Sequence, residues 1–132
     1  MLFRSRDGAM DDVALGYDSI DSVLSGQASM GAFIGRYAGR VGGGKFTLNG
    51  KPYQLGINNG GNSLHGGVKG SRHRVFEVKQ IDAATCELQL DYAHGEEGYP
   101  GNVQSRVTYQ VTDDNALEIR YEATTDAPTI VN

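Results

Sequence analysis

Cysteine occurs once in this chain and proline three times, and no apolar run approaches the roughly 20 residues a membrane-spanning helix needs. A single cysteine excludes an intrachain disulfide. Cys86, inside TCELQL, is expected to be a small buried apolar side chain, because no helix terminus or cationic cluster lies near it to activate a thiol. Scarce proline without a triplet period excludes collagen and a proline-rich linker. A formal charge of -4 with a pI near 5.2 leaves no basic footprint, so neither nucleic acid nor an anionic membrane surface is expected as a partner. The opening MLFRSRDGAM lacks the apolar core of a secretory signal, and a cytoplasmic location is expected.

What is abundant is glycine, 19 of 132 residues, about twice the typical share of roughly 7%. With 39% hydrophobic and 21% charged residues the chain is an ordinary folded protein of one domain, spanning residues 1–132. A single domain rich in tight turns and close backbone approaches points to β-structure.

The periodicity agrees. VQSRVTYQV places Val103, Val107, Tyr109 and Val111 on alternating positions, and after a turn at Asp113 to Asn115, ALEIRYEAT does the same with Leu117, Ile119, Tyr121 and Ala123. KFTLNGKPYQL holds Asn49-Gly50 between two apolar runs, a strong hairpin signal because both turn positions tolerate positive φ. RVFEVKQ and TCELQLDY read as another antiparallel pair. Only DSIDSVLSGQ, with a cap at Asp18 or Ser19 and a stop at Gly26, reads as a short helix.

Several stretches invite a chemical reading. GRVGGGKF matches most of a phosphate-binding loop through Gly39, Gly44 and Lys45, but Phe46 replaces the magnesium-holding hydroxyl and a hairpin follows where a helix should start. His65, His73, Cys86 and His94 fall at no zinc-ligand spacing, so no metal is expected, and nothing calls for a cofactor. Spacing alone leaves a Ser-His-Asp triad open, yet no G-x-S-x-G elbow occurs. Glu96 and Glu97 in HGEEGYPG are adjacent. On an extended strand they would point apart, and a turn-rich connection with Tyr99 restrained by Pro100 and positive φ at Gly101 is the expected alternative to acid–base chemistry.

NNGGNSLHGG surrounds His65 with asparagine and glycine. Two readings stand: a histidine that ties a loop together, or one placed where backbone can approach a polyhydroxylated ligand, its imidazole supplying one donor and one acceptor. Arg36 and Arg40, in the glycine-rich GRYAGRVGGGKF just upstream, favour the second, because a guanidinium fork suits vicinal oxygens.

GRYAGR, GKFTLNGKPYQL, INNGGNSLHGGVKG, RVFEV, HGEEGYPGNV and LEIRYEATTDAPTIVN, in this order and spacing, resemble consecutive segments of the aldose 1-epimerases, or galactose mutarotases. The resemblance implies an all-β fold, an antiparallel β-sandwich that is part of the family's galactose mutarotase-like supersandwich, with one short helix. It implies interconversion of the α and β anomers of free hexoses such as galactose or glucose, a carboxylate base taking the C1 hydroxyl proton while a histidine acid protonates the ring oxygen. Arg40 and His65 then bind the sugar, with Arg36 and Asn62 as further candidates, and His65 has a supporting catalytic role. Gly39 stands where the family usually has asparagine, and His94 where it often has aspartate.

The family's acid histidine lies a few residues after T-I-V-N and its base glutamate much further on, so the chain is expected to be an internal piece, its leading strands also missing. Weak sugar binding and little or no turnover are expected of it alone, with a non-catalytic carbohydrate-binding or assembly remnant as the alternative. Uncovered strand edges are expected to drive homo-oligomer formation. A phosphosugar substrate is disfavoured, since Arg36, Arg40, Arg72 and Arg74 are scattered.

Overall fold

In a computed structural model, which describes residues 2–26 and 29–132, the chain is built mostly of antiparallel strands with one short α-helix. The strands are β1 (Leu2–Arg4), β2 (Met10–Asp12), β3 (Arg40–Val41), β4 (Lys45–Leu48), β5 (Lys51–Gln54), β6 (Ser63–Leu64), β7 (Glu77–Gln80), β8 (Thr85–Tyr92), β9 (Val103–Val111) and β10 (Leu117–Thr125). The helix α1 (Ile20–Ser25) starts at Ser19, whose side chain accepts from the Ser22 N–H, and ends at Gly26. Gln27, the last residue of the expected helical stretch, lies outside the described residues.

The largest sheet has the order β10-β9-β8-β7, all antiparallel. Its two long strands put alternate residues on one covered face: Leu88 faces Val107, Leu90 faces Ser105 and Tyr92 faces Val103. Leu90, Tyr92 and Val103 are buried together, with Phe76 packed against them. Ser105 is tolerated there because its hydroxyl donates to the Leu90 carbonyl at 2.9 Å. Cys86, expected to be buried, is only half-buried, since it lies one residue from the end of β8, opposite Gln80 and Tyr109. The strand expected from Arg74 begins later, at Glu77, because a 3-10 turn over Ser71–His73 delays it and leaves Val75 95% exposed.

β4 and β5 form the hairpin signalled by Asn49-Gly50, with φ of 52° and 77° at the two turn residues, and Phe46 stacks on Tyr53 across it. The pattern of β10 is a different matter. Its alternation is intact, but Ile119 is 40% and Tyr121 62% exposed, because among the described residues only Phe33 stacks on that face, at 5.9 Å from the Tyr121 ring. The hairpin of β1 and β2 is tied by Arg4 to Asn115, in the turn before β10. Among the described residues no helix is long and apolar enough to cross a membrane.

Candidate functional site

The segment that reads as a phosphate loop is nothing of the kind: after β3 it makes a single 3-10 turn over Gly42–Gly44 and runs straight into β4, so no helix N-terminus faces a ligand. What β3 does is pair with β6, Arg40 opposite Leu64 and Val41 opposite Ser63. This two-residue ladder brings the arginine segment beside NSLHGG.

Three asparagines hold the ladder. Asn58 acts as a surrogate strand, its amide donating to the Leu64 carbonyl at 3.0 Å and accepting the Leu64 N–H at 2.7 Å. Asn59 and Asn62 close a turn around Gly60 and Gly61 by exchanging backbone hydrogen bonds. Asn59 also accepts from Arg40 Nε at 3.0 Å, which fixes the exposed guanidinium by one edge and leaves the Nη groups without a partner among the described residues. The Asn62 carbonyl oxygen accepts from Gly43 N–H at 3.3 Å, so this amide braces the 3-10 turn.

His65 follows the ladder. Its N–H donates to the Gly39 carbonyl at 3.0 Å, and the Gly39 N–H donates to His65 Nδ1 at 3.1 Å. With Nδ1 an acceptor, the neutral ring carries its proton on Nε2, which is thereby a donor. The imidazole ties the loop to β3 by one nitrogen and offers the other. The loop-tying reading of His65 is met through Nδ1, and Nε2 is left over.

The glycines after it are set by contact. His65 itself is left-handed at φ 53°, and a side chain on Gly66 would lie 2.0 Å from the Gly35 carbonyl oxygen. At Gly67 it would meet Glu97 Oε2 at 2.2 Å, because that carboxylate fills the space, accepting from Val68 N–H at 3.1 Å and Lys69 N–H at 2.8 Å. Glu97 is thus a clamp on the histidine loop. Sequence reasoning missed it; the only signal was a second carboxylate beside one already paired, and Glu96 does pair, with Arg74 at 2.7 Å. The two glutamates diverge, though from a 3-10 turn over Glu96–Gly98 in which Glu97 has φ 50°, not from an extended strand. Tyr99 is extended before Pro100, with φ -80° and ψ 136°, and Gly101 takes φ 74°, as the turn-rich reading expects.

Arg36 lies apart from Arg40. It is 3% exposed, its guanidinium 5.8 Å from the Tyr92 ring centre and 5.5 Å from that of Tyr99, donating to the Gly101 carbonyl. Burial pushes its pKa down, opposed most by Glu96, and burial pushes the Tyr92 and Tyr99 phenols up. This is a structural cation–aromatic stack. Arg36 also borders an apolar groove of about 530 Å³ between Phe33 and the β9 and β10 strands, with neither Arg40 nor His65 in its walls. His94 accepts the Gly101 N–H at 2.9 Å and His73 accepts from Arg72, so both bond within their own turns. Among the described residues no group of three His, Cys, Asp or Glu side chains is placed to hold a metal.

Residues 3–132 match the family model described as aldose 1-epimerase. The galactose mutarotase of Bos taurus is 42% identical over 129 residues, covering 98% of this chain and 37% of the relative. The aldose 1-epimerase of Escherichia coli (strain K12) is 36% identical over 126 residues, covering 96% of this chain and 36% of the relative. An aldose epimerase homologue from C. elegans superposes with a TM-score of 0.89 at 34% identity, over 98% of this chain and 40% of that one. A galactose 1-epimerase from Lactobacillus acidophilus NCFM gives 0.82 at 30% identity, over 95% and 38%. The chain therefore spans little more than a third of the length of the curated relatives it matches.

Proposed function

Because the chain belongs to the aldose 1-epimerase family, we propose that it carries the sugar-recognition part of a cytoplasmic hexose mutarotase site. In this reading Arg40 donates through its Nη groups to neighbouring sugar hydroxyls, and His65 donates through Nε2 toward the ring-oxygen region. Mutarotation needs a proton taken from the C1 hydroxyl and one delivered to the ring oxygen. The ring then opens, the C1 carbonyl turns, and the reverse transfers close it on the other face. His65 supports that exchange by holding the sugar and polarising it. The principal acid and base are family residues that the resemblance sets beyond T-I-V-N, so residues 1–132 by themselves give weak turnover or none.

The observation that carries the reading is the pair of hydrogen bonds between His65 and Gly39, which aims a fixed donor from a loop paired to the strand of Arg40. The T-I-V-N segment supports it too. Asn132 donates its N–H to the Arg36 carbonyl and accepts the Ala38 N–H, both at 3.2 Å, so it runs beside the residues leading to Arg40.

Titration with galactose to tens of millimolar tests binding. The ring signals of His65 and the Nε–H of Arg40 are expected to shift while those of His73 and His94 stay, and freshly dissolved α-galactose is expected to mutarotate at little more than the buffer rate. Unchanged His65 and Arg40 signals would remove the sugar site. The exposed apolar face of β10 favours a second reading, an assembly remnant, which that result together with retained self-association would select.

A further inference from the structure

We propose that Glu97 is a positioning residue of the sugar site: its carboxylate, seated in an anion cradle made by Gly56, Gly67 and the Val68 and Lys69 amides, fixes the direction in which His65 presents Nε2. The inference rests on the reading of His65 as a sugar donor, but its experiment fails separately from that reading.

The cradle suits an anion. Two successive backbone N–H groups point at one carboxylate, Val68 at Oε2 from 3.1 Å and Lys69 at Oε1 from 2.8 Å, so each oxygen takes one donor. Adjacent amides converging in this way form a concave seat for negative charge. The walls are bare, since a Cβ on Gly67 would stand 2.2 Å and one on Gly56 2.6 Å from the same Oε2. The neighbouring Glu96 meets the Arg74 guanidinium at 2.7 Å, whereas Glu97 is given amides.

Glu97 is held there against its own preference. At φ 50° and ψ 16° it takes a left-handed backbone in the middle of a 3-10 turn, a conformation that sterics favour mainly for glycine. The Gly56 N–H pins it by donating to the Glu97 carbonyl at 3.0 Å. A residue strained in this way persists only where its surroundings over-determine it, and such strain concentrates where a geometry is used. A glycine would close the same turn with less strain, but it would bring no carboxylate to the histidine loop.

Between the carboxylate and the imidazole there is little slack. The Gly67 N–H donates to the Leu64 carbonyl at 3.1 Å and the Gly70 N–H to the Gly67 carbonyl at 3.3 Å, so residues 64–70 fold back on themselves. Gly70 packs so closely that a Cβ on it would stand 2.2 Å from the His65 carbonyl oxygen. His65 in turn meets Gly39 through both its N–H and Nδ1. The carboxylate holds the loop just after His65, and Gly39 holds the ring. Without Glu97 the Val68 and Lys69 amides lose their acceptor, the loop gains freedom, and Nδ1 no longer meets the Gly39 N–H at a fixed angle. All of these contacts lie within residues 39–98.

Glu97→Ala tests this by NMR of the folded chain, where a loss of global stability alone moves neither native chemical shifts nor sugar affinity. The Gly39 amide and His65 ring signals are expected to shift with no sugar present, and galactose affinity, followed at the Arg40 Nε–H, to fall roughly fivefold. Sodium formate at about 100 mM, against sodium chloride at the same concentration, is expected to fill the emptied cradle and return the signals most of the way. In Glu97→Gln formate is expected to do nothing, because the side chain still fills the cradle while turning an NH₂ group on one of the two amides. Glu96→Ala, which breaks the Arg74 pair in the same turn, is expected to leave the Gly39 and His65 signals in place. Unchanged signals in folded Glu97→Ala would overturn the proposal, as would an equal displacement by Glu96→Ala, or a formate effect absent from Glu97→Ala or equal in Glu97→Gln. Should Glu97→Ala not fold, Glu97→Gln, which keeps the bulk, replaces it, and unchanged signals there overturn the proposal too. A wild-type chain indifferent to galactose removes the sugar-donor reading, while the sugar-free His65 and Gly39 signals still decide what Glu97 does.

Discussion

Gly67 has no room for a side chain because the Glu97 carboxylate occupies it, 2.2 Å from where a Cβ would stand. One residue of the histidine loop is therefore defined by another 30 positions away in sequence, and Glu97 takes up the Val68 and Lys69 N–H groups that the loop's turn leaves over. Glu97→Ala is expected to cost about 2 kcal/mol and Glu97→Gln about half that, read as shifts in the urea midpoint.

Gly66 and Gly67 should respond differently to the same change. Gly66→Ala drives a methyl into the Gly35 carbonyl, which is backbone and cannot swing away, and about 3 kcal/mol or more is expected to be lost. Gly67→Ala meets a side chain that can move. Its cost is expected to shrink when combined with Glu97→Ala, leaving the strain of φ 100°, while that of Gly66→Ala does not change. A double-mutant cycle in urea checks both.

His65→Ala removes the acceptor of the Gly39 N–H. A loss of about 1 kcal/mol is expected, with faster hydrogen exchange at the Gly39 amide as the local readout. Sugar-induced shifts at Arg40 are expected to weaken in the same variant.

Asn59→Ala frees one edge of the exposed Arg40 guanidinium. Stability is expected to change by no more than about 0.5 kcal/mol, whereas galactose affinity falls several-fold because an unheld arginine must be ordered on binding. The Arg40 Nε–H signal reports both effects.

Burial raises the phenol pKa of Tyr92, Tyr99 and Tyr109 above the ordinary 10.0. The folded state holds these protons more tightly than the unfolded one, so the stability they contribute is intact below 10.0 and is lost as pH rises through the folded values. Tyrosinate absorbance should show a component titrating above 10.0, and the urea midpoint should fall over that same range.

The hairpins were legible because Asn49-Gly50 and the alternation around Asp113 to Asn115 are local signals, decided by backbone sterics within a few residues. The nearness of the Arg40 segment to NSLHGG was suggested by residue type and family resemblance, and β3 and β6 carry it. Glu97 was opaque, since nothing near it in sequence states that two amides far upstream need a carboxylate. Arg36 misled for the opposite reason: its neighbourhood reads like that of Arg40, and only the distant Tyr92 and Tyr99 turn it inward. β10 shows a covered-strand pattern that the described residues leave largely uncovered.

Asn132 is fastened to Ala38 by its side chain as well, at 3.3 Å across 94 positions. Closing a loop of that length costs about 4 kcal/mol in chain entropy beyond the constant term. High contact order of this kind slows folding, so the ground on which Arg40 stands is assembled only after the sheet between has drawn its ends together. A ribosome making this chain delivers the arginine long before its anchor.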